Sequence, residues 1–142
     1  MPGINDHSLA ASEHYKALNY LTERIDEFPQ WTTTVAFYVA VHAVEALFAH
    51  DGHHSDSHED RNRRLKAENR YKHIWGHYRP LWNDSRIARY MEDHNGKAYP
   101  IFSVYLPGSE VRTTHLNHHL HQILQSVRKL TGRNDFCAIP VN

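Results

Sequence analysis

Apolar residues recur every three or four positions along most of this chain, the spacing that places side chains on one face of an α-helix. The first apolar stripe, which Pro29 ends, consists of Ala11, Tyr15, Leu18, Leu21, Ile25 and Phe28. The next segment, residues 31–50, is apolar on nearly all sides, as a central buried helix is. These patterns predict an all-α fold.

Local signals predict where the remaining helices begin and end. Ser57, with Glu59 and Asp60 in the turn that follows it, should cap the N-terminus of the third helix. Pro80 should kink or break this third helix. A fourth helix should run to about Met91, and Gly132 should close the last helix after a long extended connection. We therefore predict an up-and-down bundle of four to five helices, formed by one domain over residues 1–142. Its core should span about 8–132, and residues 133–142 should form a tail.

Composition restricts the class of protein. The chain has 142 residues, with 16 Lys and Arg against 16 Asp and Glu, so any nucleic-acid binding must come from a local patch. Cys137 is alone, which excludes an intrachain disulfide and fits a reducing cytosol. The most apolar run, 35–49, contains His42 and Glu45 and is too short to span a bilayer. We expect a cytoplasmic protein without a secretion signal or a membrane partner.

Fourteen histidines suggest a metal, but their placement argues against one. The loop 53–58 offers nitrogen and oxygen ligands on a short, glycine-bearing segment with no rigid scaffold. His115 and His119 are one turn apart on the last helix without a carboxylate beside them. We therefore predict no metal and no other cofactor, and solvated histidines in the loop.

Polar residues on the second helix follow one line: Thr34, Tyr38, His42 and Glu45. A buried histidine and glutamate one turn apart can satisfy each other in the core. The same residues could instead line a substrate pocket, and the spacing leaves both interpretations open.

The third helix carries a basic row whose members are spaced three, four, three and four residues apart. They are Arg63, Lys66, Arg70, His73 and His77. A row of this kind can follow a phosphate backbone, and we predict it as a nucleic-acid-binding surface. It is also what the solvated side of an amphipathic helix looks like, and acidic residues dilute it.

The stretch SRIARYMEDHNG, residues 85–96, contains a candidate catalytic pair, Arg89 and His94, with Arg86 as a supporting residue. Arg89 and His94 would lie about 140° apart on a continuous helix, so they converge only if the helix ends between them. A guanidinium that holds a phosphate and an imidazole that moves a proton are the groups needed for metal-free RNA cleavage. Alternatively, Arg89 pairs with Asp93, and His94 is simply favourable at a helix C-terminus.

Two segments resemble the HEPN superfamily, the helical domains named for higher eukaryotes and prokaryotes nucleotide binding. They are TVAFYVAVHAVEALFAHDGHHSDSHEDR (34–61) and YRPLWNDSRIARYMEDH (78–94), and the likeness covers roughly residues 8–130. The second segment contains an Arg-x4-6-His signature, Arg89 and His94, followed by Tyr90 where active members usually have a polar residue.

The resemblance implies a homodimer in which two Arg–His pairs face a shared cleft. It implies a metal-independent endoribonuclease, often a toxin of a toxin–antitoxin system beside a nucleotidyltransferase-like partner. His58 and Arg61 form a second His/Arg cluster that could serve instead. The alternative is a non-catalytic HEPN-like nucleotide-binding, RNA-binding or protein-interaction module.

Overall fold

A computed structural model describes residues 2–134. Helices account for most of this range, and extended pairing within it is limited to one isolated bridge between Glu92 and Ala98. The predicted all-α helical bundle is therefore confirmed. Residues 135–142, which contain Cys137 and most of the predicted tail, lie outside the described residues.

The first two helices pack against each other more extensively than any other pair. Helix α1 spans Ile4–Thr22 and α2 spans Pro29–His50, with proline at its first helical position. By length and mean hydropathy, 1.4, α2 could cross a membrane, yet 78% of that window is buried inside the protein. Burial on this scale is what the central helix of a bundle shows, in agreement with the sequence pattern.

The predicted third helix is divided in two. Helix α3, His58–Ala67, starts at Ser57, whose hydroxyl accepts the predicted capping bond from the amide of Asp60 at 3.0 Å. It ends before a 3-10 turn, Asn69–Tyr71, and α4 follows over Lys72–Tyr90. The turn buries Tyr71 and lets its hydroxyl donate to Asp51 at the end of α2. This contact between distant residues explains a break that no local signal marks.

Of the kink or break predicted at Pro80, the break is wrong, because α4 continues through this residue. A proline inside a helix costs about 3 kcal/mol. Ile74, Tyr78 and Leu81, which flank it, are fully buried. Each such side chain contributes roughly 1.5–3 kcal/mol, so the buried face of α4 outweighs the cost of the proline.

Helix α4 ends close to the predicted residue. Met91 adopts a left-handed conformation, with φ of 62°, and its amide donates to the carbonyl of Ile87. The chain then turns back in a tight loop, 91–99, whose Asp93 carboxylate accepts the amides of Asn95 and Lys97. His94 stands in this loop.

The predicted extended connection contains a short helix, α5, Phe102–Tyr105. The last helix then runs without interruption through Gly108–Glu110, Val111–Leu120 and His121–Thr131. Its middle segment is wound as a π-helix, which the sequence did not indicate. Gly132, with φ of 69°, closes it as predicted.

Candidate functional site

Arg89 lies near the end of α4, against aromatic rings. Its Nε donates to the carbonyl of Ser85 at 3.2 Å, and its Cζ lies 5.1 Å from the ring centre of Phe37. Tyr38 and Tyr90 lie 6.0 and 5.2 Å away. Among the salt bridges of residues 2–134, none involves Arg89. The alternative pairing with Asp93 is therefore absent from the described structure, and the guanidinium keeps its charge available for an anion.

His94 is exposed in the loop that follows α4. It borders a surface pocket of about 620 Å³ that is also lined by Arg79, Asp84 and Arg86, and not by Arg89. Within the described residues, no hydrogen bond or ring contact joins Arg89 to His94. The helix does end between them, as the convergence requires, but the two side chains contact different groups of residues. Catalysis by this pair stays a prediction.

Arg86, predicted to support the pair, lies with His94. Its Cζ is 5.4 Å from the ring of Trp82, and its side chain is exposed. Arg86 therefore belongs to the pocket and does not contact Arg89.

The second His/Arg cluster is built on a buried ion pair. Nε of Arg61 on α3 donates to Oε1 of Glu45 on α2 at 2.8 Å, and the two residues are 8% and 5% exposed. Nη1 of Arg61 donates to Nδ1 of His58 at 2.8 Å, while His58 itself is exposed. Glu45 thus fixes Arg61, and Arg61 fixes the ring of His58.

Phe37 brings this cluster to Arg89. The ring centre of His58 lies 5.8 Å from that of Phe37, and Cζ of Arg89 lies 5.1 Å from the same ring. His58 and Arg89 thus contact the same buried ring, and the charge of Arg89 acts on His58. We call this group, His58, Arg61 and Arg89, the Arg–His–Arg site.

The charge state of His58 follows from its surroundings. Partial burial, and then the positive charges of Arg61 and Arg89, lower the pKa of His58. The ring is neutral at pH 7, and because Nδ1 accepts from Arg61, the proton lies on Nε2. A neutral imidazole is the form that can accept a proton from a hydroxyl group.

A further histidine group borders the buried ion pair. Nδ1 of His42 on α2 and Nδ1 of His7 on α1 are 3.2 Å apart, and His14 stacks on His42 with ring centres 5.2 Å apart. Burial, and then the neighbouring histidines and Arg61, lower the pKa of His42 to about 4. The partner of His42 is thus His7, and the partner of Glu45 is Arg61. Sequence spacing along α2 could not show either contact, since both cross between helices.

The predicted basic row is dispersed by the break after α3. Arg63 pairs with Asp60 on its own helix, and Arg70 bonds Asp51 at 2.8 Å and the carbonyl of Leu130 at 3.1 Å. Lys66 and His73 are exposed. The row therefore does not lie along one helix, and nucleic-acid binding by its members stays a prediction.

The last member of that row, His77, belongs to a second histidine cluster. Its Nδ1 is 3.0 Å from Nδ1 of His119 on the last helix, and one donor atom each of His77, His118 and His119 lies within 4.8 Å of the others. One turn earlier, buried His115 contacts Oδ2 of Asp84 at 2.5 Å. The carboxylate that sequence reasoning found lacking beside His115 is supplied by α4.

The histidine-rich loop 53–58 does not bring its ligand atoms together as the cluster of His77, His118 and His119 does. His54 and Asp56 come no closer than 3.9 Å, and within the described residues loop 53–58 shows no three ligand atoms in one cluster. The sequence directed attention to this loop because its histidines are adjacent in the chain. The cluster that does form joins residues about forty positions apart.

No family model, no curated protein and no solved structure matches this chain. We therefore infer the function from the residues of the site.

Proposed function

We propose that this protein is a HEPN-like, metal-independent endoribonuclease that cleaves RNA at the Arg–His–Arg site. The observation that supports the proposal is the approach of a neutral, exposed imidazole and two guanidinium groups from two helices, α3 and α4, around Phe37. Such groups bind a phosphodiester and move the proton that its cleavage requires. In this mechanism His58 takes the proton-transfer role that the Arg-x4-6-His signature assigns to His94.

Each side chain has a role in this mechanism. Arg89 binds the phosphate oxygens, since no carboxylate in the described residues neutralises it. Arg61 adds positive charge beside the bound phosphate from its buried position. When His58 turns away from Arg61, its Nδ1 is free to accept the 2′-hydroxyl proton. The 2′-oxygen attacks phosphorus, the bond to the 5′-oxygen breaks, and protonated His58 returns its proton to that oxygen. The products are a 2′,3′-cyclic phosphate and a 5′-hydroxyl end.

Exposed aromatic side chains support a homodimer as the active form. Trp31 is 56% exposed and lines a surface pocket with Phe28 and Ile101, and Tyr90 is 61% exposed beside Arg89. Tyr78, by contrast, is fully buried, and Trp82 is half-buried. Aromatic residues are enriched in protein interfaces. The proposal includes a cytoplasmic location and, following the resemblance, a nucleotidyltransferase-like antitoxin as partner.

One observation favours a non-catalytic RNA-binding module as the second candidate. Arg61 is held in a buried ion pair, and His58 accepts its bond, so both side chains have a structural use. In that case Arg89 alone would contact phosphate, and the chain would bind RNA without cleaving it.

The decisive experiment incubates purified protein with single-stranded RNA, and with DNA of the same sequence, in the presence of EDTA. We expect cleavage of RNA only, since the reaction needs the 2′-hydroxyl group. Arg89→Ala and His58→Gln should each reduce the rate at least ~10²-fold, the loss typical of one electrostatic or acid–base contact. The product ends are identified by mass spectrometry.

Two variants make the result specific. Arg79→Ala removes an exposed arginine from the same helix and should leave cleavage unchanged. His94→Gln should change the rate little. If His94→Gln abolishes cleavage while His58→Gln does not, the Arg–His–Arg site is wrong and the signature pair acts, for instance across a dimer. RNA binding that depends on Arg89, without any cleavage, would establish the second candidate.

A further inference from the structure

We propose that His77, His118 and His119 bind one divalent transition-metal ion, of the zinc class, between α4 and the last helix. One ligand nitrogen from each of the three rings lies within 4.8 Å of the other two. The two Nδ1 atoms of His77 and His119 are 3.0 Å apart. Two imidazole nitrogens on a tetrahedral zinc ion lie about 3.3 Å apart, since each bond is about 2.0–2.1 Å long. The nitrogens of His77 and His119 are therefore already close to the separation of two zinc ligands, and the nitrogen of His118 has to approach them by up to about 1.5 Å.

The scaffold has the rigidity that a metal site needs. His77 lies on α4, and His118 and His119 lie on the last helix, whose buried face includes Leu116 and Leu120. Packing of these two helices fixes the separation of the ligands before any ion binds. The loop 53–58, which has more histidines per residue, lacks this support.

The π-helical segment Val111–Leu120 explains how adjacent residues share one ion. Successive side chains on an α-helix point about 100° apart, which normally separates neighbours. The wider turn of a π-helix reduces that angle, and the ring centres of His118 and His119 are 4.8 Å apart. π-Helical segments occur frequently at functional sites.

The ligand set selects the class of ion. Three imidazoles without a carboxylate or thiolate suit zinc, cobalt, nickel or copper, and do not suit calcium or magnesium, which prefer oxygen ligands. A hydrogen bond between His77 and His119 satisfies only one pair of nitrogens and does not account for the third ring. Three protein ligands leave a fourth position for water, and exposed His118 places that position at the surface.

The test uses the full-length chain with any affinity tag removed and bound metal stripped by EDTA. Titration calorimetry with zinc chloride should show one ion per chain. Cobalt chloride should produce the visible absorption of a tetrahedral site. Because His118 is exposed, His118→Ala should keep its helical circular dichroism and lose at least tenfold in affinity. His77→Gln provides a second, shape-conserving variant with the same expected loss.

Two controls separate this cluster from other histidines. His121→Ala changes a half-buried histidine on the same helix, and the double variant His53→Ala/His54→Ala changes the loop. Both should bind zinc as the unaltered protein does. The proposal is overturned if the intact chain binds no zinc, if His118→Ala and His77→Gln bind as well as the intact chain, or if the loop variant alone loses binding.

Discussion

Removing the Glu45 carboxylate tests whether the buried ion pair organises the Arg–His–Arg site. In Glu45→Ala, Arg61 remains 8% exposed without the oxygen that now accepts its Nε–H at 2.8 Å. Breaking a buried pair in this way typically costs about 3–5 kcal/mol, because an uncompensated charge stays in the interior. The chain offers a matched control in Lys16 and Glu13, which are 2.9 Å apart but 66% and 69% exposed. Glu13→Ala should cost at most about 0.5 kcal/mol.

The assay is urea denaturation followed by far-ultraviolet circular dichroism for both variants and the unaltered chain. The two ion pairs have nearly equal N–O distances. A difference of several kcal/mol between the losses in unfolding free energy of Glu45→Ala and Glu13→Ala would therefore isolate the effect of burial. Replacing both partners, Glu45→Leu with Arg61→Met, should recover most of the loss, because no buried charge remains. A cost below about 1 kcal/mol for Glu45→Ala would refute the reasoning, since Arg61 would then reach solvent easily.

Two other predictions concern pH and association. Burial alone would raise the pKa of Asp51, but hydrogen bonds from Arg70 and Tyr71 lower it to about 2, below its usual 3.8. Its contribution to stability is therefore present above pH 3.8 and lost as the pH falls towards 2, and Asp51→Asn should flatten the acid limb of a stability-against-pH curve. The exposed Trp31 and Tyr90 predict a homodimer. Light scattering that shows a monomer at tens of micromolar would contradict it, and a dimer that Trp31→Ser weakens would agree.

Much of the fold could be predicted because its signals are local. The cap at Ser57 and the stop at Gly132 depend on residues within one helical turn, so the sequence places them correctly. The missed features depend on distant contacts. Helix α4 continues through Pro80 because its flanking side chains are buried, and α3 ends at Ala67 because Tyr71 bonds a residue twenty positions away.

The candidate site shows the same limit. The Arg-x4-6-His signature paired Arg89 with His94, five residues apart. In the structure Arg89 and His58, thirty-one positions earlier in the chain, contact the same ring. Phe37, the ring on which both converge, reads in the sequence as an ordinary core residue. His58 and Arg61 were visible as a cluster from their three-residue spacing, yet only packing of α3 on α4 brings them to Arg89.

Each of the two proposed sites includes one residue of α4. The distance between these residues determines how an effect of metal removal on cleavage or stability should be interpreted. His77 and Arg89 are twelve residues apart on α4, which corresponds to about 18 Å along the helix axis. An ion at the histidine cluster therefore cannot touch a phosphate held by Arg89. Chelation could lower thermal stability by releasing α4 from the last helix, while RNA cleavage at a temperature below unfolding persists. Loss of cleavage and loss of stability on chelation must therefore be measured separately, because only the first contradicts a metal-independent reaction.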